Sequence, residues 1–386
     1  MRILTHSSSP GSPGGRGIVL HLSAVAFTAE KLLLPQLRHL QGEGYDVRIA
    51  CAADAAGYPP SLVDFAPIDV RFPRSLRPLA IIRATLHLLA VLRRLRPDIL
   101  HLHTPAAAVP ARLLPRALLP PTTKICYTVH GYAHTWSEAP RDRLLRHLEQ
   151  RLAPRADVTL YQSREDLESA NAQGFSGRLA YLGNGVEDEW FDIAPPVRSG
   201  DLKLLFIGRI VEEKGILELL DAVEGCDGVE LRIAGGQLLS DRDGIEEVVR
   251  RRVHHQRTPG RVTLLGMLSR DALRQQLAAS DAVVLPSHRE GVPRSLIEGM
   301  AAGRPAVATS IRGCRELVTD GRNGLLVPTG DFAALRAAIE RLRDLPAEEF
   351  AAWSERARSR MWQSHRERDV LIRLSAVYAD LLVEER

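Results

Sequence analysis

This chain of 386 residues is poor in cysteine and in aromatic residues, and it has no long apolar run. Its four cysteines stand alone, without the C-x-x-C spacing of a metal or redox motif, so we expect reduced, mostly structural thiols in a cytosol. No apolar run approaches the ~20 residues that a membrane helix needs, and residues 1–17 lack the apolar core of a secretory signal. These absences predict a cytoplasmic protein without a spanning helix.

A G-x-G-x-x-G turn directly after a strand, which an NAD-dependent oxidoreductase would need, is also missing. The glycines of residues 1–17 belong to a Ser-, Pro- and Gly-rich segment that no strand precedes. We interpret this segment as a flexible extension, either a mobile tail or a misassigned start. The first predicted strand is at residues 18–22.

The net charge of +4 hides an asymmetry between the two parts of the chain. Residues 1–155 contain 20 Lys and Arg against 10 Asp and Glu, and the remainder contains 31 against 37. A basic first part suits an anionic membrane surface or nucleic acid, although genomic composition alone could also enrich arginine. Because no aromatic-rich pattern accompanies the arginines, nucleic acid is the weaker partner of the two, and we predict none.

Residues 79–95 have leucine, isoleucine and valine at helical spacing, with arginines between them. This pattern predicts an amphipathic helix. A helix that faces the core explains the spacing better than one that lies on a membrane, but both interpretations stay open.

Strand and helix patterns alternate twice along the chain, and the Pro-rich segment 193–200 separates the two series. We predict two Rossmann-like, doubly wound α/β domains, at residues 18–195 and 200–364, that face each other across a cleft. Ligands of such sheets bind outside the carboxyl ends of the strands.

Residues 290–305 stand between two short apolar runs and predict a strand–loop–helix–strand unit. Pro293 would lie in the first turn of the helix, whose N-terminus favours an anion such as a phosphate. Glu290 and Glu298 flank that position and would accept hydrogen bonds from sugar or ribose hydroxyls. The alternative is that both carboxylates are ordinary solvated groups near a helix start.

The pattern E-G-x-P-x-x-x-x-E-x-M-A-x-G-x-P-x-V-A, followed by G-C-R-E-L and G-x-N-G-L-L-V-P, resembles retaining glycosyltransferases of family 4. Residues 208–215 resemble the G-R-x-x-x-x-K-G signature of the same family. The resemblance implies the GT-B fold, with an acceptor domain first and a donor domain second. It also implies that the last helix, at about residues 365–386, packs back on the first domain.

The resemblance implies a role for each motif residue. Arg209 and Lys214 would hold the diphosphate, Glu290 would contact a sugar hydroxyl, and His130, in an H-G-Y context at a strand end, would lie near the reacting centre. Glu298 would bind ribose, and the amides of residues 292–296 would meet the sugar or its phosphates. The residues implied to bind the donor are Asn184, Gly208, Gly235, Leu268, Gly291, Val292, Pro293, Arg294, Ser295, Leu296 and Glu298.

His101 and His103 are spaced so that they share one strand face. Such a pair could suggest a metal, but no third ligand is near in sequence, and we favour a structural or acceptor-lining role. We therefore expect no metal and no cofactor.

The resemblance and the motifs together predict a retaining glycosyltransferase that uses a nucleotide-diphosphate sugar, most simply a UDP-linked N-acetylhexosamine. The first loop, residues 23–28, resembles members that build capsular, exopolysaccharide or O-antigen units on a polyprenyl-diphosphate carrier, which would place the chain on the inner face of the cell membrane. Two alternatives stay open, namely a soluble small-molecule acceptor and a binding protein without catalysis.

Overall fold

The computed structural model describes residues 15–53, 57–73, 78–132, 139–237, 244–255 and 261–383. These residues form two compact units, each with one parallel β-sheet. Unit 1 contains residues up to 161, residues 167–181 and residues from 371, and unit 2 contains residues 162–166 and 182–370. Residues 1–14 of the predicted extension and the last three residues of the predicted final helix lie outside the described residues.

Unit 1 has a seven-stranded sheet in the order β3-β2-β1-β4-β5-β6-β7. Its strands are β1 Ile18–Val25, β2 Asp46–Ala52, β3 Ile68–Asp69, β4 Ile99–Leu102, β5 Lys124–Val129, β6 Val158–Tyr161 and β7 Leu179–Tyr181. The helices are α1 Ala26–Thr28, α2 Leu34–Gly42, α3 Pro60–Val63, α4 Pro78–Leu95, α5 Pro105–Leu113, α6 Pro140–Leu152 and α7 Arg164–Ala172, with a π-helical turn at Ala29–Leu33.

Unit 2 has a six-stranded sheet in the order β10-β9-β8-β11-β12-β13. Its strands are β8 Leu202–Ile207, β9 Val229–Ala234, β10 Val262–Gly266, β11 Ala282–Leu285, β12 Ala306–Thr309 and β13 Gly324–Val327. The helices are α8 Ile216–Glu224, α9 Ile245–His254, α10 Arg270–Ala278, α11 Arg294–Ala301, α12 Arg312–Arg315, α13 Phe332–Arg343 and α14 Ala347–Ser364, and the last helix of the chain is α15 Glu367–Val383.

Central strands such as β4, β11 and β12 are buried along their whole length. Helices cover both faces of a parallel sheet, and its strands are therefore almost entirely apolar. The predicted doubly wound α/β class is therefore confirmed for both units. None of the helices in the described ranges is long and apolar enough to cross a bilayer.

The strand order reverses once in each sheet, between β1 and β4 in unit 1 and between β8 and β11 in unit 2. The chain leaves these two neighbouring strands in opposite directions, which opens a crevice at their carboxyl ends. This topology fixes where a ligand site can form in each unit.

The structure differs from the sequence-based prediction at two places. Residues 182–195 belong to unit 2, whereas we predicted that the first domain extends to residue 195. Pro293 precedes α11 in an extended conformation, with φ −72° and ψ 116°, instead of lying in its first turn. A proline fits either position because its missing N–H is not needed there.

Helix α15 joins unit 1 from Leu371 onward. Its fully buried Tyr378 shares a hydrogen bond between its hydroxyl and Nδ1 of His101 on β4, at 2.7 Å. A buried polar pair of this kind fixes the helix in one register, because a shift would leave both groups without partners.

The substitution Tyr378→Phe should therefore lower the free energy of unfolding by about 1–2 kcal/mol, because His101 Nδ1 loses its partner in a buried site. Urea denaturation at constant pH measures the change. Ile372→Ala, at an exposed position of the same helix, serves as the control and should change stability by less than about 0.5 kcal/mol. A Tyr378→Phe variant as stable as the wild type would contradict the role of the hydroxyl.

Candidate functional site

The crevice of unit 2 receives two loops, residues 208–215 after β8 and residues 286–293 after β11. Gly313 lets the chain approach the second loop closely, since a Cβ at this position would lie 1.2 Å from the carbonyl oxygen of Gly291. Gly235, with φ +147°, does the same for the first loop, because its Cβ would lie 1.8 Å from the Gly208 carbonyl oxygen. Both glycines are therefore required for the backbone course of the two loops.

Lys214 and Glu290, one from each loop, form an ion pair in which Lys214 Nζ donates to Glu290 Oε1. Ser287 Oγ donates to the same carboxylate oxygen at 2.8 Å. Both charged side chains are largely buried. The structure thus brings together two of the residues that the sequence singled out, and it places a cation and an anion at the carboxyl ends of β8 and β11.

Gly208 and Arg209 follow β8 directly, at the edge of the same crevice. The Gly208 amide donates to the carbonyl of Ala234 at 3.0 Å, and the Gly235 amide donates to the carbonyl of Gly266 at 2.8 Å. These two hydrogen bonds continue the pairing of β8 with β9 and of β9 with β10 beyond the strand ends. Leu268, after β10, is half-buried against the core of unit 2.

The start of α11 was predicted to offer amides to an anion, and the structure corrects this for Leu296. Its amide donates to the Pro293 carbonyl at 3.1 Å, and its side chain is buried. The helix uses this N–H for its own first turn. Of the amides at residues 292–296, those of Val292, Arg294 and Ser295 stay a prediction, because proline has no N–H.

Asn184 holds the loop that leads into α11. Its Nδ2 donates to the Val292 carbonyl at 2.9 Å, its Oδ1 accepts from the Gly185 amide at 3.0 Å, and its own carbonyl contacts His365 Nδ1 at 2.9 Å. Because both polar atoms of the side chain are used inside the protein, Asn184 positions the site through Val292.

Arg294, which was predicted as a donor-binding residue, lies at the centre of a cluster of three carboxylates. Its guanidinium pairs with Glu298 at 3.2 Å, with Glu367 at 3.4 Å, and with Glu187. The sequence did not predict the last two partners, because they come from residues 107 and 73 positions away.

The cluster shifts the pKa values of its carboxyl groups in different directions. Burial raises the pKa of Glu298 and raises that of Glu367 to about 7, in each case against the opposing effect of the Arg294 charge. For Glu187 the effect of burial is outweighed by Arg294 and Arg270, and its pKa is lowered. Glu298 is therefore already paired within the protein, although the predicted ribose contact would use the same carboxylate.

In unit 1, the residues at the strand reversal are histidines. His21 on β1 stands directly opposite His101 on β4, because β1 and β4 are paired in that register. His103 follows β4, and His130 follows β5. The sequence missed His21, since only the strand register brings it beside the His101–His103 pair.

One nitrogen from each of His21, His101 and His103 lies within 4.8 Å of the others, which is the arrangement of a possible metal site. His21 Nδ1 and His103 Nε2, however, are 2.8 Å apart, and both nitrogens of His101 share hydrogen bonds, with Tyr378 and Thr128. Two nitrogens on one tetrahedral zinc lie about 3.3 Å apart. The contacts fit a hydrogen-bonded cluster better than a metal centre.

Two family models match the chain, "Glycosyl transferase 4-like domain" over residues 29–185 and "Glycosyl transferases group 1" over residues 201–344. The chain belongs to this family of glycosyltransferases. The resemblance noted in the sequence and the assignment as an enzyme are confirmed by these matches.

Curated relatives and solved structures agree with this assignment. The glycosyltransferase is 29% identical to EpsD of Bacillus subtilis, named as a glycosyltransferase, over 85% of this chain and 88% of EpsD. It is 24% identical to the UDP-Gal:alpha-D-GlcNAc-diphosphoundecaprenol alpha-1,3-galactosyltransferase of Escherichia coli, over 82% and 84%. The structure of Anabaena HepE in complex with UDP and glucose matches with a TM-score of 0.75 and 20% identity, over 94% of this chain and 100% of that one.

The raised pKa of Glu367 makes the stability of the glycosyltransferase depend on pH. A carboxyl group whose folded pKa lies above its unfolded value of 4.5 stabilises the fold fully below pH 4.5, and this contribution is lost as the pH rises through 7. We expect Glu367→Gln to weaken the decline in unfolding free energy between pH 5 and pH 8, by about 1.4 kcal/mol for each unit of pKa difference.

Urea denaturation at several pH values measures this dependence. Glu355→Gln, at an exposed position of α14, is the control and should leave the decline as it is in the wild type. If the unfolding free energies of the wild type and of Glu367→Gln fall with pH in parallel, the raised pKa of Glu367 is contradicted.

Proposed function

We propose that this glycosyltransferase transfers a sugar from a UDP-sugar, such as a UDP-N-acetylhexosamine, to a polyprenyl-diphosphate-linked glycan, with retention of configuration and without a metal or cofactor. The observation that carries the proposal is the Lys214–Glu290 pair at the carboxyl ends of β8 and β11, beside the start of α11. This position offers one cation, one anion and the amides of a helix start, which is what a diphosphate joined to a sugar requires.

The ion pair suggests how the donor enters. Lys214 is neutralised by Glu290 before any ligand binds. A diphosphate that takes over Lys214 would free the Glu290 carboxylate to accept a hydrogen bond from a sugar hydroxyl. Lys214 then exchanges one anionic partner for another, and Glu290 exchanges its counter-ion for hydrogen bonds from the sugar hydroxyl and from Ser287.

Transfer breaks the bond between the sugar's anomeric carbon and the diphosphate oxygen, and the diphosphate keeps the electron pair. Lys214 and Arg209 would stabilise the negative charge that grows on it in the transition state. The acceptor hydroxyl oxygen forms the new bond and gives its proton to the departing diphosphate. Retention means that this oxygen arrives on the face that the diphosphate leaves.

The donor and the acceptor are supported by relatives. HepE was solved with UDP and glucose, and the Escherichia coli relative is named for a UDP-galactose donor and a diphosphoundecaprenol-linked acceptor. Our proposal of a UDP-sugar and a lipid-linked acceptor extends these properties to the present chain.

We expect UDP to raise the melting temperature, whereas GDP, ADP and NAD should not. A ligand at about 100 times its Kd adds about 2.7 kcal/mol to the unfolding free energy, which a melting scan detects. Lys214→Ala should abolish the UDP shift, while Glu290→Gln should keep the shift and lose turnover. Lys31→Ala, at an exposed site of unit 1, is the control for Lys214→Ala.

A shift with GDP or ADP alone would change the proposed donor and keep the enzyme class. A shift with NAD alone would refute the proposal. Full turnover of Glu290→Gln would remove Glu290 from the reaction.

A lipid-linked acceptor implies that the chain meets a membrane, and α4 has the features of a docking surface. Ala84, Leu88, Leu89 and Leu92 face the core, as the spacing predicted. A second apolar stripe remains on the outside, with Leu79 at 73%, Ile82 at 52% and Leu86 at 60% exposure. Exposed arginines at positions 83, 93 and 94 lie on the same helix. Apolar and cationic side chains together match an anionic lipid surface.

The chain should therefore sediment with vesicles that contain anionic phospholipid at low salt, and binding should weaken as salt rises. The double substitution Ile82→Ser and Leu86→Ser should reduce binding, whereas Val248→Ser, at an exposed site of unit 2, should not. No sedimentation at low salt would contradict membrane docking and favour a soluble acceptor.

A further inference from the structure

Three imidazoles in unit 1 form a continuous chain from the sheet interior to His130. His21 Nδ1 and His103 Nε2 are 2.8 Å apart, and His103 Nδ1 and His130 Nε2 are 3.1 Å apart. His21 and His103 are completely buried, and their rings are stacked with an interplanar angle of 11°. The buried end of this row of histidines is His21 on β1, and its other end is the half-buried His130.

Burial keeps the inner imidazoles uncharged. It lowers the pKa of His21 to about 3 and the pKa of His103 well below its ordinary value, and neighbouring histidines add to the effect at His103. A neutral imidazole has one N–H and one lone pair. His103 therefore donates from one nitrogen and accepts at the other. Its two hydrogen bonds must then both point from His21 towards His130 or both point from His130 towards His21.

The buried end decides between the two possible directions. His21 Nε2 is inaccessible to solvent and has no hydrogen-bond partner in the described part of the chain. If the hydrogen bonds run from His130 inward, this atom is a buried N–H without an acceptor. If they run outward from His21, it is an unused lone pair. Orphaned N–H groups are the rarer of the two in folded proteins, which favours the outward direction.

We propose that His21 and His103 are positioning residues that hold His130 with Nε2 as the acceptor and the proton on Nδ1. Nδ1 of His130 then carries a proton and not a lone pair, so this atom is a hydrogen-bond donor. A hydrogen-bond donor suits a glycosyltransferase, because sugar and phosphate oxygens accept hydrogen bonds. The expected effect on turnover rests on the proposed glycosyl transfer and on the place near the reacting centre that the family resemblance implies for His130, whereas the state of its ring is a property of the free protein.

The first test is nuclear magnetic resonance of the full chain with ¹⁵N-labelled histidine and without substrate. The ring signals of His130 are identified by their loss in His130→Gln. We expect them to show a protonated Nδ1 and an unprotonated Nε2. Protonation at Nε2 would overturn the proposal. In His21→Leu, which removes the first donor, the His130 signals should change to the other form or to a mixture.

The second test compares two substitutions of His103 that differ only in whether they can donate to His130. In His103→Leu, kcat should fall about 10- to 100-fold because the group at the reacting centre is misoriented, and KM for the UDP-sugar should change little. His103→Asn should recover most of kcat, since its amide N–H₂ can replace Nδ1–H. His147→Leu, at an exposed site of α6, is the control.

Equal activity of His103→Leu and the wild type, or equal loss in His103→Leu and His103→Asn, would overturn the proposal. The UDP-induced melting shift should persist in both variants, because it reports on unit 2. If a variant does not fold, the ring signals of His130 in the wild type still show whether Nδ1 or Nε2 carries the proton. If the wild type transfers no sugar from any nucleotide donor, the proposed function fails, while the spectrum still decides the state of His130.

Discussion

The ion pair between Lys214 and Glu290 is the interaction on which the candidate site depends. The two residues come from loops that leave neighbouring strands in opposite directions, and nothing in the parallel sheet itself holds such loops together. Water cannot easily solvate either charge, so separating the pair would expose each to a large desolvation cost. The pair thus joins the two loops, together with the hydrogen bond from the His288 amide to the Glu213 carbonyl at 2.8 Å.

Arg294 lies at the centre of a second group of largely buried charges. Three carboxylates surround its guanidinium, of which Glu187 also pairs with Arg270, and the cluster joins α11, the start of α15 and the residues after the Asn184 turn. Burial raises the pKa values of Glu298 and Glu367, and the nearby charge of Glu187 adds to the effect. Glu298 is thus held by Arg294 beside the helix start, so a ligand hydroxyl that used this carboxylate would have to share it with the guanidinium.

The sequence was sufficient for the fold class, because buried parallel strands and amphipathic helices have distinct periods that can be counted. The family motifs also singled out Lys214 and Glu290, and the structure brings these two residues together near the ends of β8 and β11. It could not show that they bind each other, nor that Glu187 and Glu367 surround Arg294, because pairing between distant segments is decided by tertiary packing. His21 was missed for a related reason. A histidine in the middle of an apolar strand looks like an ordinary core residue until the register with β4 places it opposite His101.

The two sheets share one topology but use different chemistry at the equivalent place. In unit 2 the strand reversal is occupied by charges that neutralise each other, and in unit 1 it is occupied by imidazoles that burial keeps neutral. A charged pair can exchange partners with an ionic ligand, whereas a neutral chain can only pass on the direction of its hydrogen bonds. The strand order thus fixes where polar groups converge in each sheet, and the local residues decide whether that place binds charge or orients a single N–H.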